Sequence, residues 1–272
     1  VLLTNIWYNE GMNKKFLIIG YGVVGRAVFK GLSEKHAVEI LDPPAGYELV
    51  QKDYIYPHYH LYDGIIICLP TPQGPMGECD DMMVEQYHRE IRKHAPKIPI
   101  LIKSTISVEL VDLLEEDRAL TYNPEFLTET NSIEEFKYQS FIIFGGHQCR
   151  YWYEIFQDAG ITMNHIKFTD MRTAAYAKYT INSFLATKVI FFNELKSMFG
   201  PEGFDQLTQI VSMDNRIGKS HMMVPGPDEK YGFGGKCFPK DTSAFVKSGQ
   251  GKLTLLEKVI DINKEIRDET TT

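Results

Sequence analysis

The amino-acid sequence predicts an α/β protein in two parts, a doubly wound parallel sheet over residues 12–168 followed by an all-helical segment over residues 169–272. Three observations carry this. Residues 14–42, KKFLIIGYGVVGRAVFKGLSEKHAVEILD, read as strand, tight turn, helix and strand. Short apolar runs then alternate with amphipathic stretches. From residue 170 that alternation gives way to helical spacing, with no Pro or Gly over residues 171–199.

In the first part, the apolar run 16–19 meets Gly20-Tyr21-Gly22-Val23-Val24-Gly25. Gly20 permits the sharp turn, Gly22 lets the backbone approach a pyrophosphate, and Gly25 lets the helix lie close on the strand. The helix N-terminus then offers amide donors to the phosphates. A second apolar run ends at Asp42, at the distance where an acid accepts hydrogen bonds from ribose hydroxyls and repels a 2′-phosphate. This pattern predicts a Rossmann-type domain that takes NAD rather than NADP. The structural alternative for Asp42 is a turn acid before Pro43 and Pro44.

Residues 64–69, 98–103 and 141–145 read as further buried parallel strands. Between them, DDMMVEQYHREIRKH has an acidic start and a basic end that suit the helix dipole. Leu69, Pro70 and Thr71 follow one strand and Ser104-Thr105 another, where an open parallel sheet presents its ligand crevice.

Bulk composition narrows the function. The chain has 272 residues, 43% apolar and 24% charged, enough for a sizeable core. Its 29 basic and 36 acidic side chains give 29 − 36 = −7, so no broad cationic field exists for nucleic acid or membrane phosphates. No apolar run reaches the roughly 20 residues that cross a bilayer, and the N-terminal stretch lacks the layout of a secretory signal. A cytoplasmic protein is expected, with residues 1–11 a disordered leader ahead of Met12. Cys68, Cys79, Cys149 and Cys237 lack metal-type spacing, and no disulfide framework or metal is expected.

The second part carries polar residues on helical spacing. Residues 171–200 read as one helix, on which Lys178 and Asn182 share a face, as do Tyr179 and Ser183. Such a pair is ordinarily a solvated stripe. Here Ala174, Ala175, Ala177, Ile181, Leu185 and Ala186 surround it, which points the pair into a cleft.

Residues 231–241, YGFGGKCFPKD, cannot hold a regular element at their glycines, while Pro239 suits the first turn of a helix running through residues 242–247. Cys237 then lies just ahead of a helix N-terminus, where amide dipoles favour thiolate. Asp241, four residues later, would reach back towards the sulfur if the helix begins that early. An incidental thiol is the alternative.

Taken in order, GYGVVG, LPTP, IKSTI, NPEFLTE, AAYAKYTINSFLATKVIFFNEL, SMDNRIG and GFGGKCFPKD resemble the UDP-glucose/GDP-mannose dehydrogenase family over roughly residues 14–267. The resemblance implies a Rossmann-type NAD-binding domain, a helical central and dimerisation domain, and oxidation of a nucleotide-sugar alcohol to the acid in two NAD-dependent steps. Cys237 matches the nucleophile that gives a thiohemiacetal and then a thioester. Lys178 and Asn182 match oxyanion stabilisers, Asp241 the aspartate that positions or activates water, and Glu125 a glutamate implicated as base. Thr105 and Glu129 match positions near the nicotinamide; Phe126, Leu127, Phe233 and Gly234 match substrate-lining ones. Arg216 matches an arginine that reaches the neighbouring subunit's site, which implies a homodimer built around residues 171–198.

The sequence departs from the family twice. Residues 43–62 are short and aromatic where the family carries a longer segment. A third, UDP-binding domain follows the central helix in the family, and the sequence stops within such a helix. CFPKD suits the UDP-glucose branch, with GDP-mannose still open. Two alternatives also stay open: a single-step hydroxyacid dehydrogenase resembling 6-phosphogluconate dehydrogenase, and a non-catalytic NAD-binding homologue.

Overall fold

The computed structural model describes residues 14–46 and 58–269. The predicted leader, Met12 and residues 47–57 of the short aromatic segment lie outside the described residues. The chain divides into two compact units, one holding residues up to Pro72 with Asp80–Lys178, the other Gln73–Cys79 with the residues from Tyr179 onward.

The first unit contains a seven-stranded sheet of β1 (Lys15–Ile19), β2 (Ala37–Leu41), β3 (Gly64–Ile67), β4 (Ile100–Ile102), β5 (Leu120–Tyr122), β6 (Tyr138–Gly146) and β7 (Thr162–Thr169). Its helices are α1 (Val23–Leu32), α2 (Met82–His94), α3 (Val108–Leu114), α4 (Ser132–Lys137) and α5 (Cys149–Asp158). The strand order is β2-β1-β3-β4-β5-β6-β7, and the first five strands are parallel. The order reverses between β1 and β3, the switch point at which open α/β sheets bind ligands.

Both faces of the sheet are covered, because alternate residues of each strand point to opposite sides. Leu17, Ile19, Ile65, Ile67, Ile100 and Ile102 pack with Val84 and Ile91 of α2 and Leu110 and Val111 of α3. Phe16, Ile18, Ile66 and Leu101 pack with Ala27 and Val28 of α1 and Trp152 and Phe156 of α5. The continuous apolar runs seen in the sequence are thus strands buried on both faces.

One prediction is corrected. The run 141–145 was expected as a further parallel strand, but β6 lies antiparallel to β5, pairing Thr121 with Gly146 and Tyr122 with Gly145. It runs parallel only to β7. Apolarity reports burial on both faces and carries no direction. The close approach is possible because Gly146, at φ 111°, would place a Cβ 2.8 Å from the Leu120 carbonyl oxygen.

The helix α6 (Met171–Phe199) begins in the first unit, where Met171, Ala174 and Ala175 join its core. The second unit holds the rest of α6 with α7 (Phe204–Val211), α8 (Phe238–Gly249) and α9 (Thr254–Glu269). Its core joins Ala186 and Ile190 of α6 to Phe233, Leu256 and Val259. The fold class is as predicted, a Rossmann-like domain followed by helices.

Candidate active site

In the first unit the predicted residues gather at the carboxyl ends of β1 to β5. Gly20 has φ +94°, and a Cβ there would lie 2.6 Å from the Cys68 carbonyl oxygen at the end of β3. A Cβ on Gly25 would lie 2.0 Å from the Gly20 carbonyl oxygen, so helix and turn touch backbone to backbone. At the exposed Gly22 a Cβ would meet nothing within 4 Å, leaving open space at the start of α1. No side chain caps that helix, so the amides of its first turn, from Val23 and Val24 on, face that space.

Asp42 does more than the sequence implied. Its carboxylate accepts the Tyr21 backbone N–H at 2.5 Å, so the acid that would read the ribose also braces the turn. Glycine turn, uncapped helix and strand-end acid together fit a dinucleotide.

Leu69, Pro70 and the buried Thr71 follow β3, and the Leu69 carbonyl accepts the Ser104 hydroxyl at 2.7 Å. Thr105 is half-buried after β4, while Glu129 is exposed ahead of α4. After β5, the Glu125 carboxylate accepts the Leu127 N–H at 2.8 Å, and the Phe126 ring lies 4.6 Å from that of Phe141. Lys178 of α6 is 3% exposed. Its amine donates to the Glu125 carbonyl at 2.6 Å, lies 3.6 Å from the Glu125 carboxylate and sits over the Phe126 ring. This ammonium is aimed by packing rather than solvated.

Sequence reasoning missed Lys103. It is 1% exposed and donates to the Asn123 side-chain oxygen at 2.7 Å, while Asn123 donates to the Ile143 carbonyl at 2.6 Å. Burial pushes the Lys103 amine down to about 8, with opposing help from Cys68 and Glu125, and burial pushes the Cys68 thiol up to about 12. The only signal was a lysine closing an apolar run.

In the second unit, Asn182 donates from its amide nitrogen to the Asp241 carboxylate at 2.5 Å. The other Asp241 oxygen accepts the Lys240 ammonium at 2.5 Å, and Asp241 itself is 1% exposed. Burial opposes the Lys240 charge, yet Asp241 and the Cys79 and Cys237 thiols hold its pKa above the ordinary lysine value. Cys237 is the N-cap residue of α8, with Pro in the first turn. Of the four cysteines, Cys68, Cys79 and Cys149 are buried and Cys237 is exposed.

The structure gives the Asp241 carboxylate to Asn182 and Lys240, and its backbone N–H to the Cys237 carbonyl at 2.8 Å. Phe233 is 4% exposed with its ring in the helical core, so it presents its neighbours with backbone. Gly234 lies against the Arg267 guanidinium. Arg216 is exposed and pairs with Asp214 at 2.6 Å.

Two family models match the chain. The UDP-glucose/GDP-mannose dehydrogenase family, NAD binding domain, covers residues 49–157, and the central domain of the same family covers residues 172–265. A UDP-glucose 6-dehydrogenase of Rickettsia bellii is 34% identical over 222 residues, 75% of this chain and 49% of that protein. The one from Rhizobium meliloti is 32% identical, over 74% of this chain and 50% of its own length. The chain thus spans about half the length of the curated relatives it matches. Among solved structures, a UDP-glucose dehydrogenase from Pyrobaculum islandicum superposes with TM-score 0.76 at 23% identity, covering 94% of this chain and 69% of its own. Mycobacterium tuberculosis 3-hydroxyisobutyrate dehydrogenase shares the fold at TM-score 0.68 and 19% identity, over 93% of both chains.

Proposed function

Because this chain belongs to the UDP-glucose/GDP-mannose dehydrogenase family, we propose that it takes part in oxidising the C6 alcohol of a nucleotide sugar, UDP-glucose first among them, to the carboxylate. The observation that carries this reading is the exposed Cys237 at the start of α8, one helical turn from a buried Asp241 whose carboxylate is held by Asn182 and Lys240.

The glycine turn and Asp42 would hold NAD, which supplies a hydride acceptor at its nicotinamide ring. Each remaining task falls to a residue of the chain. The alcohol would lose its hydroxyl proton to a base, for which Glu125, beside the Lys178 ammonium, is the carboxylate offered, and a hydride from C6 to the acceptor, leaving an aldehyde. Cys237 adds to the resulting aldehyde carbon, forming a C–S bond and a thiohemiacetal. Loss of the thiohemiacetal's hydroxyl proton and of a second hydride from that carbon, to a second equivalent of the acceptor, would leave a thioester, which water cleaves to return the thiol and release the acid. Lys178 and Asn182, one turn apart on α6, would donate to the oxyanion at each stage, since an ammonium and an amide N–H both stabilise charge there. Asn182 commits one amide hydrogen to Asp241 and retains another. Asp241, fixed on both oxygens, would orient the hydrolytic water.

Homodimerisation through α6 belongs to the same reading. Phe184, Phe191 and Met198 stand seven residues apart on it and are 66%, 58% and 81% exposed, an apolar stripe that a second copy would cover. Arg216 of one copy would then serve the site of the other. A cytoplasmic setting completes the reading, and no described helix is long and apolar enough to cross a membrane.

NADH release over a panel of nucleotide sugars tests the proposal. UDP-glucose should give the largest signal, and Cys237→Ser should abolish acid formation while leaving NAD affinity nearly intact. Loss of NAD binding in that variant would refute the role given to the thiol.

A further inference from the structure

The segment ahead of Cys237 is held by side chains from 30 to 35 residues further along the chain. Asn263 of α9 treats Phe233 as a strand partner would: its amide oxygen accepts the Phe233 N–H at 2.7 Å and its amide nitrogen donates to the Phe233 carbonyl at 3.1 Å. Arg267, one turn on, donates to the Phe233 carbonyl at 3.1 Å and to the Gly232 carbonyl at 3.2 Å, and is anchored on Asp228 at 2.7 Å. From α6, Asn193 accepts the Gly232 N–H at 2.9 Å and is itself fixed by donating to the Val189 carbonyl at 2.8 Å. Asn193 and Asn263 are 5% and 8% exposed, so these bonds form out of water, where an unmade one is costly.

The glycines are shaped to this grip. A Cβ on Gly232 would lie 2.5 Å from the Asn263 amide oxygen, and one on Gly234 would lie 2.5 Å from an Arg267 guanidinium nitrogen. Between them the Phe233 ring is sunk in the core with Leu256 and Val259 of α9. Backbone and ring are therefore held by α6 and α9, four residues before the thiol.

We propose that Asn193, Asn263 and Arg267 are positioning residues that clamp Gly232–Phe233 and thereby fix the approach of the Cys237 sulfur. They touch no reacting atom; they act through the loop. The proposal rests on the reading of Cys237 as nucleophile, but the clamp can be measured without it.

The test uses the full chain and the variants Asn263→Ala and Arg267→Lys, the second keeping the charge while losing the fork that spans two carbonyls. Hydrogen exchange should accelerate in the peptide covering residues 231–238 and stay unchanged in β1, β3 and β4. NADH release should fall by about tenfold to a hundredfold in kcat, with KM for NAD within about twofold, because misplacing a reacting atom costs rate rather than cofactor binding. Arg267→Lys should fall between wild type and Asn263→Ala, and alone decides the matter if Asn263→Ala does not fold. Unchanged exchange at residues 231–238, or faster exchange with kcat intact, overturns the clamp. If the wild-type chain releases no NADH, the reading of the reaction falls. The clamp is then judged on alkylation of Cys237 by iodoacetamide, located by peptide mass: an altered rate in the variants supports it, and an unaltered one overturns it.

Discussion

Residues 20–25 and residues 232–235 both turn the backbone through positive φ at glycine, yet their glycines make room for different things. In the first turn the neighbours are backbone: Gly20 abuts the Cys68 carbonyl and Gly25 the Gly20 carbonyl, while Gly22 faces open space. In the second, Gly232 and Gly234 abut the side-chain ends of Asn263 and Arg267. The first turn is a rigid floor shaped for a dinucleotide; the second is a loop gripped by side chains of its own protein, four residues before a thiol. Glycine content alone does not say whether a loop opens to a substrate or closes on a neighbour.

The largest effect should come at the residue the second loop serves. Cys237→Ser should reduce acid formation by about a thousandfold or more, as expected on removal of the proposed nucleophile, while calorimetry should find NAD affinity within about twofold. That result separates the two turns cleanly. Equal losses of binding and rate would merge them.

The glycines themselves should differ next. In Gly25→Ala the new methyl strikes backbone that cannot yield, and urea unfolding should show a cost of about 3 kcal/mol. In Gly232→Ala the obstacle is a side-chain end that can swing, leaving mainly the left-handed backbone penalty of about 1–2 kcal/mol. A larger cost at Gly232 than at Gly25 would reverse the comparison.

Beneath the first turn, Lys103 makes a pH test. Its folded pKa is lowered to about 8 by burial, so between about pH 8 and 10 the unfolded chain binds the proton and the folded chain does not. Stability from this group therefore rises with pH through that window. Cys68 and Cys149, raised to about 12 and about 11 chiefly by burial, pull the other way above about pH 9. Removing Lys103 takes away the cation that lowers the Cys68 pKa, but through pH 10 that thiol stays protonated in the folded chain with or without it, so within this window the difference between wild type and Lys103→Met isolates the lysine. Wild type should gain about 2 kcal/mol on the variant from pH 8 to pH 10 in chemical denaturation, and a constant gap would contradict a strained ammonium.

The smallest effect should fall at Asp42. Asp42→Ala should weaken NAD by about tenfold and relax discrimination against NADP. Because the carboxylate also braces the Tyr21 amide, hydrogen exchange at the turn should quicken as well. Unaltered cofactor preference would make Asp42 a turn residue alone.

What could be read from the sequence follows the same division. The first turn was legible because strand, glycines, helix and acid are contiguous, and each local choice states its purpose. The strands β1, β3 and β4 were legible because burial on both faces leaves continuous apolar runs. By contrast β7 pairs along β6 with a mostly exposed TMNHIKFT, and β5 is three residues long, so neither leaves a run to notice. The direction of β6 depends on a pairing of two residues. In the second unit, residues 231–241 announced a constrained thiol, but not what constrains it. Asn263 and Arg267 look like ordinary polar positions of an amphipathic helix until their partners, 30 or more residues away, are in view.

If the Cys237 sulfur holds the aldehyde of a first oxidation for a second, the ratio of NADH formed to nucleotide sugar consumed must report both. With UDP-glucose as the limiting reagent, two NADH should form for each molecule of sugar nucleotide converted to the acid. A ratio of one, with the aldehyde or ketone as product and Cys237→Ser turning over like wild type, would contradict it.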